Sequence, residues 1–257
     1  MIKFQAVEGI RIAYWTNDKG FVEGRKSLVF IHGSGGDHAN WENQYNVLAG
    51  EFNIVAVDLP GHGQSGGSGE KEVGRYVEWI RKLIEGIGLA RPVLIGHSLG
   101  AAICLTFAIR HGALLSGIVP VGGGVKMPVN PVLLEGLKKD VAATVATIVK
   151  FSLAKENREK WSGLLSESLL KANPEATHGD MFACDKLDIT TEIAKIRVPA
   201  LAVCGADDKM TPPALSQFIK DNIPGARLAL IPAAGHFVMM ENAAEFNKAV
   251  KEFVQSL

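Results

Sequence analysis

The apolar residues of this chain fall into short unbroken runs, separated by longer stretches with helical spacing. Ser27-Leu28-Val29-Phe30-Ile31, Asn53-Ile54-Val55-Ala56-Val57, residues 92–95 and Gly117-Ile118-Val119-Pro120-Val121 are runs of strand length without polar alternation. That pattern predicts strands buried on both faces of a parallel sheet. Residues 2–7 and 10–16 alternate instead and flank Glu8-Gly9, which predicts an antiparallel pair. Within 70–87, Val73, Val77, Ile80, Ile84 and Ile87 fall at offsets of 4, 7, 11 and 14, one face of a helix. Further helices are expected over 40–49, from residue 101 to about 110, near 213–222 and over 242–256, with strands at 198–204 and 226–231. The alternation fails between 125 and 190, where only helical segments are expected, at 131–154, 157–172 and 174–185. The chain thus reads as an α/β fold. Residues 1–124 and 191–257 form a mostly parallel sheet of about eight strands flanked by helices, and 125–190 form a helical cap insertion.

Composition narrows the class. A chain of 257 residues with 47% hydrophobic residues can bury one large core. Its 27 acidic and 27 basic residues balance, with no basic stripe, so no nucleic-acid partner is expected. No run of 18 apolar residues is present, so no membrane span is expected. The start of the chain has no apolar signal-peptide segment. Cys104, Cys184 and Cys204 are scattered, which fits reduced thiols and a cytoplasmic location. No Cys/His cluster has zinc spacing, so neither a metal nor another cofactor is expected. The expected assembly is a monomer or homodimer.

One stretch organises the chemistry. Val93-Leu94-Ile95 reads as a strand, Gly96-His97-Ser98-Leu99-Gly100 as a sharp turn, and Ala101 onward as a helix. A serine hydroxyl is a weak nucleophile and must be exposed, rigid and close to a base. A strand-to-helix turn provides that, with glycines two before and two after relieving crowding. The Gly-x-Ser-x-Gly pattern recurs at Gly63-Gln64-Ser65-Gly66-Gly67, but no strand leads in and no helix leads out, so that copy is read as a loop.

A base and an orienting acid should follow other strands, because loops at the carboxyl ends of parallel strands share one edge of the sheet. Of the seven histidines, His236 in Gly235-His236-Phe237 lies just past a predicted strand. Gly205-Ala206-Asp207-Asp208 follows another strand, and it offers Asp208 as the acid with Asp207 as the alternative. Two backbone N–H groups are needed for a developing oxyanion. Leu99 supplies one candidate, and His32-Gly33-Ser34-Gly35-Gly36 supplies the other, expected at Ser34 with Gly33 or Gly35 as alternatives. That loop lacks the Lys-Ser/Thr ending of a phosphate-binding loop.

Four blocks together resemble the α/β-hydrolase fold superfamily. They are His32-Gly33-Ser34-Gly35, the run from Asp58 through Pro60-Gly61-His62-Gly63 to Ser65, Gly96-His97-Ser98-Leu99-Gly100, and Gly205-Ala206-Asp207-Asp208 with Gly235-His236. The resemblance spans nearly the whole chain. It implies Ser98 as nucleophile, Asp208 as acid, His236 as base, and the segment 125–190 as a variable cap. The implied activity is a carboxylesterase-type serine hydrolase acting through an acyl-enzyme on small to medium, largely apolar esters. Thioesters, lactones and perhydrolysis suit the same machinery. A carbon–carbon bond hydrolase of dienones is an alternative, although such members usually carry a proline in the His-Gly-x-Gly loop, which is absent here. A ligand sensor with slow incidental hydrolysis is the alternative of another class. Candidate substrate-pocket residues are His32, Gly33, Met127, Phe182, Met210 and Phe237, with no arginine cluster to clamp an anion.

Overall fold

In the computed structural model, which describes residues 1–257, the predicted runs form eight strands. They are β1 (Ile2–Val7), β2 (Ile10–Thr16), β3 (Ser27–Ile31), β4 (Asn53–Val57), β5 (Val93–His97), β6 (Gly117–Val121), β7 (Leu201–Gly205) and β8 (Arg227–Ile231). They make one sheet in the order β1-β2-β4-β3-β5-β6-β7-β8. The β1–β2 and β2–β4 pairs are antiparallel and all others parallel. Glu8 and Gly9 have φ of 48° and 78°, the left-handed pair that a two-residue hairpin turn requires.

Strand periodicity divides the interior into two layers. Val29, Ile31, Val55, Val57 and Leu94 face one core. Leu28, Phe30, Ile54, Ala56, Val93 and Ile95 face the other. Helices α2 (Val73–Gly86), α3 (Leu99–His111) and α8 (Pro213–Asn222) contribute to the first core. Helices α1 (Glu42–Leu48) and α10 (Ala243–Gln255) contribute to the second. Every residue of α3 from Leu99 to Ala108 is buried, because that helix is apolar on all sides and runs between α2 and the sheet.

The inserted segment holds four helices, not three: α4 (Pro131–Lys139), α5 (Val141–Ser152), α6 (Arg158–Lys171) and α7 (Pro174–Lys186). The expected single helix over 131–154 breaks at Asp140, whose backbone leaves the helical region (φ −151°, ψ 87°). Its side chain accepts from Ala143 N at 3.0 Å and so caps α5. Leu137, Val145, Ile148 and Leu165 turn inward to the second core. A short helix, α9 (Val238–Glu241), precedes α10.

The strand expected over 198–204 starts later, at Leu201. The N–H groups of Ile118 and Gly122 donate towards β7, to Pro199 O at 3.0 Å and Val203 O at 2.9 Å. The intervening position on that side is Pro120, which has no N–H, so the β6–β7 ladder is thin where the inserted segment leaves the sheet.

The parallel strands deliver their carboxyl-end loops to one edge, and β5 sits near the middle. Two close approaches hold its exit. A Cβ on Gly96 would lie 2.1 Å from Gly100 O, and one on Gly100 would lie 2.3 Å from Ile31 O. Gly96→Ala is expected to destabilise the fold by about 3 kcal/mol, since backbone must move to admit the methyl. Gly50→Ala, where a Cβ meets nothing within 4 Å, should stay within about 0.5 kcal/mol. Urea unfolding of both variants checks the contrast.

Candidate active site

At the end of β5 the chain turns in a single residue. Ser98 has φ 54° and ψ −111°, an uncommon conformation for a residue with a side chain. Its N–H donates to Val121 O of β6 at 2.9 Å, and its carbonyl accepts from Ala101 N and Ala102 N, the opening of α3. The Leu99 N–H, first in α3, has no acceptor within the helix and carries the positive end of its dipole.

The loop after β7 separates the two candidate aspartates. Asp207 is exposed, and its N–H pairs with Ala234 O at 2.9 Å. Asp208 is buried. Its Oδ1 accepts from Met210 N at 2.8 Å and Thr211 N at 2.9 Å. Its Oδ2 accepts from Thr211 Oγ1 and from His236 Nδ1, both at 2.9 Å. Burial pushes this carboxyl up, but the adjacent His236 and the Thr211 hydrogen bonds more than offset it and hold it below the usual carboxylate value. A neutral His236 ring with Nδ1–H on the carboxylate keeps Nε2 as an acceptor.

His236 is itself fixed through its backbone. Its N–H donates to Ser152 O at the end of α5, at 2.6 Å. Gly235 N donates to Glu241 Oε1 at 2.9 Å. His97 Nε2 donates to the His236 carbonyl at 2.9 Å, and the two rings lie 4.5 Å apart. Burial drives His97 far below the ordinary histidine value, so this ring is a neutral spacer beside His236. Thr211 is a site residue that the sequence reading overlooked. The signal is the Asp208-Lys209-Met210-Thr211 spacing, in which an aspartate bonds the backbone two and three residues on.

Ser98, His236, Gly33 and Ser34 line one cavity of about 590 Å³. Gly35 N is taken by Asp180 Oδ2 at 3.1 Å and Gly36 N by Gly33 O at 3.1 Å, whereas Ser34 N–H meets no protein acceptor. A Cβ on Gly33 would sit 3.1 Å from Ser98 Cβ, so this loop presses directly on the serine. The far wall is apolar and comes from the inserted helices, through Leu133, Leu137, Val145, Ile148, Leu165 and Leu169. Met127, Met210 and Phe237 also line it. No group of three or more His, Cys, Asp or Glu side chains is placed to hold a metal ion.

Two expected pocket residues lie elsewhere. His32 is fully buried, with Nε2 accepting from Leu59 N at 3.0 Å and Nδ1 on Gly33 O at 2.7 Å. Burial brings its value down to about 4, so it is a neutral brace between two loops and not a cavity wall. Phe182 faces outward on α7 under the Lys186 ammonium, because Met181 beside it takes the cavity-facing position. The second Gly-x-Ser-x-Gly copy is a loop. The Ser65 hydroxyl donates to Asp58 O at 2.6 Å and accepts from Ala13 N at 2.8 Å, so it is fully committed to structure.

A family model described as the alpha/beta hydrolase family matches residues 28–249. The chain belongs to the alpha/beta hydrolase family. It is 31% identical to a structure described as a thermophilic esterase, covering 100% of this chain and 98% of that one with a TM-score of 0.85. It is 27% identical to the 2-hydroxy-6-oxononadienedioate/2-hydroxy-6-oxononatrienedioate hydrolase of Burkholderia vietnamiensis, over 96% of this chain and 93% of that protein. The enol-lactonase of Burkholderia xenovorans LB400 has the same fold, with a TM-score of 0.91 at 21% identity, over 98% of this chain and all of that one (100%). No helix of this family member is long and apolar enough to cross a membrane.

The low value of Asp208 has a stability consequence. Folded Asp208 holds its proton less tightly than the unfolded side chain does. Its contribution is therefore present above about pH 4 and lost as pH falls through the folded value. The stability difference between wild type and Asp208→Asn is expected to narrow as pH falls from about 5 to about 3. Urea unfolding of both proteins across that range measures it.

Proposed function

We propose that this protein is a serine hydrolase of carboxylic esters, with Ser98 as nucleophile, His236 as base and Asp208 as the orienting acid. The observation that carries this reading is the shared cavity. Ser98, strained at the mouth of α3, faces the same space as His236, whose Nδ1 is held by buried Asp208. In the proposed cycle His236 Nε2 takes the hydroxyl proton as Ser98 Oγ attacks the carbonyl carbon. The oxyanion is met by the N–H groups of Ser34 and Leu99. His236 then gives its proton to the departing alcohol, and water repeats the sequence on the acyl-enzyme.

The inserted helices act in this reading as a cap that encloses the acyl group. Their contribution to the cavity is almost wholly apolar, which favours a neutral, medium-length acyl chain over a charged one. The relative acting on a dienedioate raises a carbon–carbon hydrolase as the second reading. A dicarboxylate would require fixed cations, and the only cationic side chain lining this cavity is the exposed Lys209. Lactones and thioesters remain within the same chemistry.

Turnover of p-nitrophenyl esters from acetate to laurate tests the proposal. Activity should peak at an acyl chain longer than acetate, and Ser98→Ala should reduce it by at least about 10⁴-fold. Retention of near-wild-type activity in Ser98→Ala would overturn the reading. Asp208→Asn should lower kcat by up to about 10⁴-fold, while Asp207→Asn, altering an exposed side chain, should leave kcat close to wild type.

A further inference from the structure

The inserted helices meet the core at a polar cluster that the proposed chemistry does not use. Asp180 of α7 is completely buried. Its Oδ1 accepts from the Tyr76 hydroxyl at 2.5 Å, and its Oδ2 accepts from His62 Nε2 at 2.8 Å and Gly35 N at 3.1 Å. These donors come from α2, the loop after β4 and the loop after β3. His62 Nδ1 faces Pro60 O at 3.0 Å, a group that can only accept. With a carbonyl on one nitrogen and a carboxylate on the other, both ring nitrogens carry protons. Burial pushes His62 down, but the Asp180 charge and hydrogen bond more than offset it, which agrees with an imidazolium.

A buried ion pair is a poor device for stability alone, because apolar residues of equal volume often do as well. The third donor gives this pair another use. Gly33–Gly36 is a turn closed by Gly36 N to Gly33 O at 3.1 Å, and Gly35 at φ 66° makes it type II. Types I and II differ by rotation of the central peptide, here Ser34–Gly35. The N–H of that peptide points at the carboxylate. After rotation the Ser34 carbonyl oxygen would face it instead, in a dry and repulsive contact. On its other side the same turn presses on Ser98 through Gly33. Thr177, three residues before Asp180 on α7, closes the contact, since a Cβ on Gly35 would lie 2.8 Å from its Oγ1.

We propose that Asp180 is a positioning residue for the oxyanion loop, reaching from the cap through Gly35 N–H to hold the turn that presents Ser34 N–H to Ser98. The cap is then a part of the catalytic geometry and not only a cover. This inference rests on the serine-hydrolase reading above.

Asp180→Asn keeps the volume but leaves a single acceptor oxygen for three donors. In the full chain it should lower kcat for the best p-nitrophenyl ester by about 10- to 100-fold, with KM nearly unchanged. Inhibition by a trifluoromethyl ketone, a mimic of the tetrahedral intermediate, should weaken in proportion to kcat/KM. Asp185→Ala loosens the same helix at its other end, where Asp185 Oδ1 accepts from Val129 N at 3.1 Å, and should leave kcat close to wild type. Near-wild-type kcat in Asp180→Asn, a change in KM alone, or an equal kcat loss in Asp185→Ala would each overturn the proposal. Amide exchange over residues 33–36 provides a readout independent of turnover. It should quicken in Asp180→Asn and not in Asp185→Ala, and unchanged exchange would also overturn the proposal. If turnover proves independent of Ser98, the serine reading fails, and the exchange result alone decides whether Asp180 holds the loop. Should Asp180→Asn not fold, the neutral pair Asp180→Asn/His62→Gln is subjected to the same assays and the same criteria.

Discussion

Everything at the proposed site depends on one tight turn. The chain must leave a buried central strand and enter a buried helix within a single residue, and Ser98 takes a left-handed backbone to do so. That conformation is costly for a residue with a Cβ. It persists because the surroundings leave no alternative. The Ser98 N–H is fixed to β6, its carbonyl opens α3, and glycines at 96 and 100 let backbone approach backbone where a methyl group would not fit. The Gly33 loop then packs against the serine from the side. Strain and exposure are thus produced together, and a nucleophile needs both.

The partners of Ser98 are held by a different principle. No ordered element carries Asp208 or His236. Each sits in a loop fixed by many short hydrogen bonds. Two backbone N–H groups, the Thr211 hydroxyl and the His236 ring converge on the Asp208 carboxylate, while the backbone of His236 is bound by the end of α5 and by His97. The close approach of Gly205 to the Gly235 carbonyl, 2.1 Å from a would-be Cβ, brings these two loops together. The inserted helices therefore touch the site twice, at His236 through Ser152 and at Gly35 through Asp180. They also supply most of the apolar wall of the cavity. One insertion accordingly bears on both the shape of the site and the alignment of its groups.

Much of this was legible in the sequence, and the reasons are physical. Strands buried on both faces have to be apolar throughout, so β3 to β6 stand out as runs. The turn at Ser98 requires glycines at fixed offsets, which makes it readable in one dimension. The edge rule then places His236 and the Asp207-Asp208 pair near it. Choosing between those aspartates requires knowing which side chain turns inward, and only the structure shows Asp208 buried beside Thr211. The inserted segment was the least legible part. Its helices pack on the core over long sequence separations, so local periodicity neither places the break at Asp140 nor reveals that Asp180 meets His62 across 118 residues of chain. Phe182 shows the same difficulty at the scale of one residue. Its neighbour Met181 faces the cavity and Phe182 does not, a distinction set by how α7 docks and not by composition.

The most direct test is covalent labelling by a fluorophosphonate, which reacts far faster with a serine hydroxyl activated by a neighbouring base than with an ordinary one, followed by peptide mass spectrometry. One adduct per chain is expected, on Ser98, and it should disappear in a folded His236→Ala variant. An adduct on another serine such as Ser65, or no adduct on the folded wild-type protein, would contradict the serine-hydrolase reading.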